Sequence, residues 1–561
     1  MKKLLSFAAV LAVCSMIFLS CGSDDSKKLE PKDQFQKAVT KTFVDNAKLV
    51  SHGLSQEGDT INLSNFGEEL VIGIELGDPF QKLANAILSD NYLELNTQWL
   101  QSVQVAVKAG LTDKAVQFNV IPGLNKTDIF SVNVYEDSTN SMVYFSIPEL
   151  IKNNFKISEK DFGISAREIM DTYLTQVSFM GSVPEETVFN GFIEEVVKAF
   201  VSPIDEVSRA TETIKGGFGN DKSVSAQYTV LTTTFDEEKG EDLAVAVQDI
   251  IMKSSNFNAI ANWIVPVISK MSGDKIRVRD FTEEVAEIAA DFLEDLFAYQ
   301  DVTVSLYVDS KSTIAGILLN IDDAVVILSA MPQKGNNFGY TFAAAEYDEG
   351  LTIENINATS FVSLNGYGTY AGGKMTGDFK AFYQGDEVLS FETKDLDITS
   401  LKSVKGNGSV TIHPKSDIRE MAKEFLEDEL DMESAWLTFA DTLDLTINMA
   451  QKDYNSASLE LVFTTGNTKM LAISEKYSIT KPSEIKMPAT DIMELNEDSI
   501  MDYEQILKGI STSTIVANLK KAKVAPEYIE PLESITGETL GSLADGLLGG
   551  YGGFDFDDFD W

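Results

Sequence analysis

Histidine and cysteine are nearly absent from this sequence. Only His52 and His413 occur among 561 residues, and the two cysteines, Cys14 and Cys21, both lie near the start. Histidine is the usual base of nucleophilic triads and a common zinc ligand, and no H-E-x-x-H, G-x-S-x-G or paired C-x-x-C motif occurs. The sequence therefore predicts no catalytic residue, no cofactor and no metal site, and it gives both histidines a structural or surface role. Calcium on Asp- and Asn-rich turns stays open, although no EF-hand spacing is present.

Basic side chains are also scarce. There are 45 Lys and Arg residues against 87 Asp and Glu residues, a net charge of −42 at pH 7. A nucleic-acid-binding protein needs a basic face, and no cluster of Lys and Arg supplies one. The apolar content of 44% and charged content of 24% are ordinary for folded protein. Because 561 residues are too many for one hydrophobic core, we expect two to four domains.

A long hydrophobic run is missing as well, but a short one opens the chain. Lys2 and Lys3 precede the apolar stretch Leu4–Leu19, which is shorter than the roughly 20 residues that a membrane-spanning helix needs. A charged start and a short apolar stretch are typical of an export signal, predicted here over residues 1–20.

The residues after this run carry a family resemblance. Leu19-Ser20-Cys21-Gly22 resembles a bacterial lipobox, although Phe18 and Leu19 depart from the usual residues at their positions. The resemblance implies that Cys21 is acylated and becomes the first mature residue. Cys14 would be cut away, leaving no pair for an internal disulfide.

The acids that follow sharpen the predicted location. Ser23, Asp24 and Asp25 resemble the acidic export tag of Bacteroidota-type surface lipoproteins. This implies an outer-membrane protein, anchored by lipid and facing the cell surface; the periplasmic face is the alternative. Stretches such as "VYFSIPEL" and "YTVLTTTF" resemble uncharacterised large bacterial lipoproteins, a likeness that implies no particular activity.

Hydrophobic periodicity predicts an α+β fold made mainly of antiparallel sheet, in meanders and hairpins, with a helical middle region. Leu70, Ile72 and Ile74 alternate with other residues as in a half-buried strand. The predicted regions are a signal peptide (1–20), a tether (21–31), a helix with antiparallel strands (32–150), a mainly helical region (151–300), a β-meander (301–415), a mixed C-terminal region (416–540) and a disordered tail (541–561).

Two stretches suggest binding. The stretch "NGYGTYAGGKMTG" (365–377) resembles the motif of a phosphate-binding loop. It departs from that motif because Met375 occupies the position of the Ser or Thr that binds magnesium. In addition, the residues after it predict a strand, whereas the motif requires a helix. We expect a glycine-rich bend there, with Tyr367 and Tyr370 as candidate ligand contacts. In the tail, aromatic residues that alternate with acids could dock a partner by adding a strand to its sheet; these are Phe554, Phe556, Phe559 and Trp561.

Two classes of function remain open from the sequence. The favoured one is a non-enzymatic binding or envelope-assembly lipoprotein, held to the membrane through Cys21. Its partner would be an envelope protein, a glycan or a lipid, and one variant cradles a hydrophobic ligand on a curved sheet. The alternative is a glycan hydrolase that uses two carboxylates across a cleft, since acidic pairs are abundant. The separation of two carboxylates depends on the fold and does not follow from the linear sequence, and acidic pairs are expected in so acidic a chain.

Overall fold

The computed structural model describes residues 29–55, 65–90, 97–112, 114–137, 139–162, 184–272, 274–297, 301–321, 325–346, 360–397, 407–430, 434–453, 456–480, 488, 490–495, 506 and 509–535. These residues form two compact units. The first unit draws on the described residues of 1–61 and 175–454, and the second draws on the described residues of 62–174 and 455–561. Both units are therefore assembled from segments that are distant along the chain.

The helices have amphipathic sequences, and the start of one of them is capped by a side chain. In the helix that starts at Glu237, for example, the side chain of Asp236 accepts a hydrogen bond from the backbone N–H of Lys239 (3.0 Å). The described helices are α1 (Pro31–Ser55), α2 (Asp78–Asp90), α3 (Glu159–Phe162), α4 (Glu186–Val201), α5 (Glu237–Lys253), α6 (Ser255–Ser272), α7 (Val278–Phe297), α8 (Ser416–Leu430), α9 (Ser513–Lys521) and α10 (Pro526–Glu533), with a 3₁₀ segment at Ser434–Thr442.

Strands make up most of the remaining structure. They are β1 (Asn65–Leu76), β2 (Ser102–Thr112), β3 (Ala115–Leu124), β4 (Thr127–Asp128), β5 (Val132–Asp137), β6 (Met142–Ser146), β7 (Asn154–Ser158), β8 (Ser208–Phe218), β9 (Lys222–Phe235), β10 (Val302–Val308), β11 (Ile314–Ile321), β12 (Val325–Ala330), β13 (Gln333–Lys334), β14 (Asn337–Glu346), β15 (Val362–Ala371), β16 (Lys374–Tyr383), β17 (Asp386–Asp397), β18 (Asn407–Pro414), β19 (Leu443–Asp453), β20 (Ser456–Thr465), β21 (Thr468–Thr480) and β22 (Ile492–Glu494).

The first unit is an antiparallel meander. Its strands pair in the order β8-β9-β10-β11-β12-β14-β15-β16-β17-β18-β19, and the short β13 pairs with β14. The sheet curls so that β8 comes back over β14: a Cβ added at Gly216 would lie 2.6 Å from the carbonyl of Gly339. Two glycines make this close approach possible because neither carries a side chain.

The curled sheet has a core on each side. Leu231 of β9 faces the helices and packs with side chains of α1, α4, α5 and α7, including Phe35 and Leu243. Val230, its neighbour in the chain, faces the inside of the curl and packs with Tyr307 and Leu328. A strand buried on both sides has apolar residues at consecutive positions, as Val230 and Leu231 show.

The second unit has a sheet of its own. Its strands pair in the order β20-β21-β1-β2-β3-β5-β6-β7-β22, with β4 on the end of β3; all pairs are antiparallel except β7 with β22. Helices α9 and α10 form a pair that packs on the β3–β4 turn through Val516, Leu519 and Ile129.

The predicted α+β class with mainly antiparallel sheet is confirmed. Region 151–300, predicted to be mainly helical, holds α3 to α7 and also the strands β7, β8 and β9, so the predicted helical middle is not confirmed. The glycine-rich stretch 365–377 belongs to two strands, β15 and β16. Gly372 and Gly373 join them with φ angles of 61° and 82°, the left-handed geometry of a tight hairpin turn.

Candidate functional site

Most of the sequence-predicted site residues lie outside the described part of the chain. This holds for Cys21, for the acidic stretch 23–25 and for the aromatic tail residues 554–561. Their predicted roles stay predictions. The structure does place Tyr367 and Tyr370, both on β15.

The two tyrosines do not form one binding surface. They are three residues apart on a strand, so their side chains point to opposite faces of the sheet. Tyr370 packs against the aromatic cluster that contains Phe338 and Phe379. Tyr367 lies on the other face, directly opposite Asp378 of β16.

A group of charged residues surrounds Phe218 at the end of β8. The ammonium groups of Lys222 and Lys380 lie 5.5 Å and 5.6 Å from the centre of the Phe218 ring, in cation–π contact. Lys222 also donates to the carboxylate of Asp378, and this hydrogen bond and its charge raise the pKa of Lys222. Lys380 donates to Glu387 over 2.6 Å. Because both cations already have carboxylate partners, this group is better suited to holding strands together than to capturing an anion.

Two carboxylates close to the charged group around Phe218 are candidates for a glycosidase pair. Asp378 and Glu392 stand directly opposite each other on β16 and β17, and such neighbours have Cβ atoms about 5 Å apart. A glycosidase needs one acid that stays protonated in a desolvated setting. Asp378 is paired with Lys222 and Glu392 is exposed, so this pair lacks that setting.

His413 is bound into a second polar group. Its Nδ1 lies 3.0 Å from a carboxylate oxygen of Asp444, whose other oxygen accepts from Arg419 of α8 at 3.2 Å. Ser390 stands opposite His413 in the β17–β18 ladder, but the structure has no hydrogen bond between these two side chains. The group therefore ties α8 to β18 and β19 and does not assemble a nucleophile with its base.

The most unusual surface belongs to the second unit. On one side of its sheet, aliphatic side chains from five neighbouring strands are 36–48% exposed. We call this side of β20, β21, β1, β2 and β3 the aliphatic face. Its exposed members are Leu459, Ile473, Ile72, Ile74, Val105 and Val120.

Strand register shows that these side chains point the same way. Ile74 pairs with Ile473, and Ile72 pairs with Val105. Residues directly opposite each other in antiparallel strands share a face. Other apolar residues continue the same side, namely Leu461, Leu471, Leu70, Val103, Val107 and Pro122.

The end of the aliphatic face is closed by helices. Leu124, at the end of β3, packs into the cluster of α9 and α10 together with Trp99 and Tyr528. A cavity of about 340 Å³ lies at the start of α9, lined by Ser511, Ser513 and Glu533 among others. The helix pair leaves the middle of the face, around Ile72 and Val105, half exposed.

One charged residue interrupts the aliphatic face. Glu475 of β21 stands opposite Ile72 on one side and opposite Leu459 on the other. Its side chain is exposed, and no other described residue forms an ion pair or hydrogen bond with its carboxylate. By contrast, Glu75, on the opposite side of the same sheet, is paired with Lys469 and Lys126, whose hydrogen bonds lower its pKa.

The alternation of residues 70–76, 103–107 and 116–120 predicts half-buried strands, and these strands are present. The alternation of apolar and polar residues shows that one side of a strand is apolar, but it does not show whether other residues cover that side. The alternation of Leu471, Ile473 and Tyr477 with other residues places Glu475 on the apolar side of β21. The sequence does not show that Ile72, about 400 residues earlier in the chain, lies beside it.

Two further searches concern the described residues. Within them, no group of three or more His, Cys, Asp or Glu side chains could hold a metal ion. None of the helices in the described ranges is both long and apolar enough to cross a membrane.

Comparison with known proteins adds little. No known protein family matches the chain, and no curated protein matches it. One solved structure, that of intact Ap-TbpB with its N and C lobes, aligns with 9% identity over 74% of this chain and 77% of that one. Its TM-score of 0.09 is too low for the alignment to support a shared fold or function.

Proposed function

We propose that this protein is a non-enzymatic binding lipoprotein that holds a hydrophobic ligand on its aliphatic face. In this proposal an acylated Cys21 anchors the chain at the outer membrane, and the acidic stretch 23–25 directs it to the cell surface. The observation that carries the binding function is the half-exposed set of aliphatic side chains on five adjacent strands. Exposed apolar patches of this kind are commonly binding sites.

The ligand we propose is a lipid with a long aliphatic chain. Five strands at about 4.8 Å spacing make the face about 19 Å wide, a width that matches an extended chain of about 16 carbons. Three rows of side chains give it a flat area of roughly 300 Å², well below the ~800 Å² that each partner buries in a standard protein interface. The exposed members are all Ile, Leu or Val. One half-buried tyrosine, Tyr477, lies on the same side opposite Leu70, but none of the described residues of the face is a Trp or Arg of the kind that anchors protein interfaces.

The experiment introduces a charge into the face. Ile72, 48% exposed, is replaced by Asp, and binding of the neutral probe dodecanol to the purified chain is measured by calorimetry. We expect at least about tenfold weaker binding, because a carboxylate held against a hydrocarbon chain loses its hydration. Mass spectrometry of the wild-type protein should also find a co-purified lipid.

The matched control is Val245→Asp, which places the same charge on an apolar residue that is 58% exposed on α5. It should leave dodecanol binding unchanged. Equal loss of binding in both variants, or no binding by the wild-type protein, would rule out the aliphatic face as the ligand site.

A further inference from the structure

We infer that the ligand of the aliphatic face carries a hydrogen-bond-donating or cationic group beside its aliphatic chain, and that Glu475 binds this group. The inference rests on the proposed function, since it concerns the same site. The inference predicts that the site prefers lipids with an amine or hydroxyl group over free fatty acids, because the carboxylate of a fatty acid and that of Glu475 carry the same charge.

The position of Glu475 supports this assignment. It lies within a single row that crosses the sheet, between Leu459 of β20 and Ile72 of β1. These two aliphatic side chains are 39% and 48% exposed. A chain lying along the row would therefore touch apolar groups on both sides of the carboxylate and bring its own polar group within reach.

The surroundings of Glu475 leave its charge uncompensated. No other described residue forms an ion pair with it, whereas Glu69 and Glu75 on the opposite side of the sheet pair with Lys108 and Lys469. Covering a carboxylate with a hydrocarbon chain costs free energy unless a donor comes with it. A ligand whose own donor group binds Glu475 removes this free-energy cost. A ligand with a carboxylate instead adds electrostatic repulsion between the two negative charges.

The test compares two probes with the same chain length. Calorimetry measures the affinity of the purified chain for dodecylammonium and for dodecanoate, each below its micelle concentration. Because Glu475 is exposed, we expect a preference of roughly two- to fivefold for the ammonium probe at low salt, shrinking at 1 M salt as the charges are screened. Glu475→Gln should abolish the preference, and Glu475→Lys should reverse it. Glu530→Gln, at an exposed acid of α10, should leave it intact.

The outcomes separate this inference from the proposed function. If both probes bind the wild-type protein equally, or dodecanoate binds more tightly, the role of Glu475 is wrong while the aliphatic face remains a lipid site. If neither probe binds, or Ile72→Asp has no effect on either, the proposed function fails and this inference fails with it. Persistence of the ammonium preference in Glu475→Gln would assign that preference to another residue.

Discussion

At the scale of single residues, the first unit uses its few cations to neutralise selected acids. Glu387 of β17 receives Lys380 at 2.6 Å and Lys415 at 3.0 Å. Partial burial works to raise the pKa of Glu387, but the hydrogen bonds and charges of the two lysines outweigh it and lower the pKa below its ordinary value of 4.5. A lowered pKa in the folded state means that the ionised carboxylate stabilises the fold.

This stabilisation should depend on pH. The contribution of Glu387 is fully present above its ordinary pKa and is lost as the pH falls through the lower pKa of the folded state. We expect Glu387→Gln to lower the free energy of unfolding by about 1 kcal/mol at pH 7. The difference from wild type should shrink as the pH falls below 4.5 and through the lower pKa of the folded state. Urea unfolding at several pH values measures both quantities.

Glu392→Gln serves as the comparison, since it changes an exposed acid on the same strand. It should shift the free energy of unfolding by less than about 0.5 kcal/mol. A pH-independent loss of stability in Glu387→Gln would show that packing, and not the ion pairs, explains the effect.

At the scale of elements, the crossing of β8 over β14 sets the curvature of the first unit. A Cβ added at Gly339 would lie 2.2 Å from the carbonyl oxygen of Gly216, closer than atoms can approach. The atoms in the way belong to the backbone, so no side chain can rotate aside. Ile214, two residues before this contact, is buried inside the curl with Ala343 and Ala345, so moving β8 outward would open that core.

Gly339→Ala should therefore destabilise the first unit by about 1–3 kcal/mol, the range typical of overpacking. Thermal unfolding followed by circular dichroism measures the change. Thr213→Ala, at an exposed position of β8, should change stability by less than about 0.5 kcal/mol. A stable Gly339→Ala variant would mean that the two strands separate at little cost.

At the scale of the whole molecule, the negative net charge opposes attachment to the membrane, whereas a lipid anchor favours it. A chain with a net charge of −42 is repelled by anionic head groups. Cleavage before Cys21 would remove Lys2 and Lys3 and leave 43 basic against 87 acidic residues, a net charge of −44. Attachment would then depend on acyl chains, each methylene of which contributes about 0.8 kcal/mol when buried in the bilayer.

Replacing Cys21 should therefore release the protein from the membrane. We expect Cys21→Ser to lose incorporation of an alkyne-tagged palmitate and to move from the membrane fraction to the medium or periplasm. Cys14→Ser, within the apolar run Leu4–Leu19, should keep both label and location. Labelling of Cys21→Ser would contradict the lipidation site, and protection of wild-type protein from protease on intact cells would favour the periplasmic face.

The sequence by itself predicted much of the local structure. The alternation of residues 70–76 and 103–107 predicted β1 and β2. A glycine-rich bend was predicted within 365–377, and Gly372 and Gly373 form a turn there because glycine accepts the left-handed conformation that a tight turn requires. These features depend on neighbouring residues, so a single sequence contains the information for them.

What only the tertiary structure decided is which distant segments become neighbours. Glu475 joins Ile72 and Leu459 on one surface because β21 pairs with β1, about 400 residues earlier in the chain, and with β20. Tyr367 and Tyr370, close in sequence, fall on opposite faces for the equally simple reason that side chains alternate along a strand. Periodicity along the chain determines the faces of each strand, while the pairing of strands, a long-range choice, determines which faces combine into a binding surface.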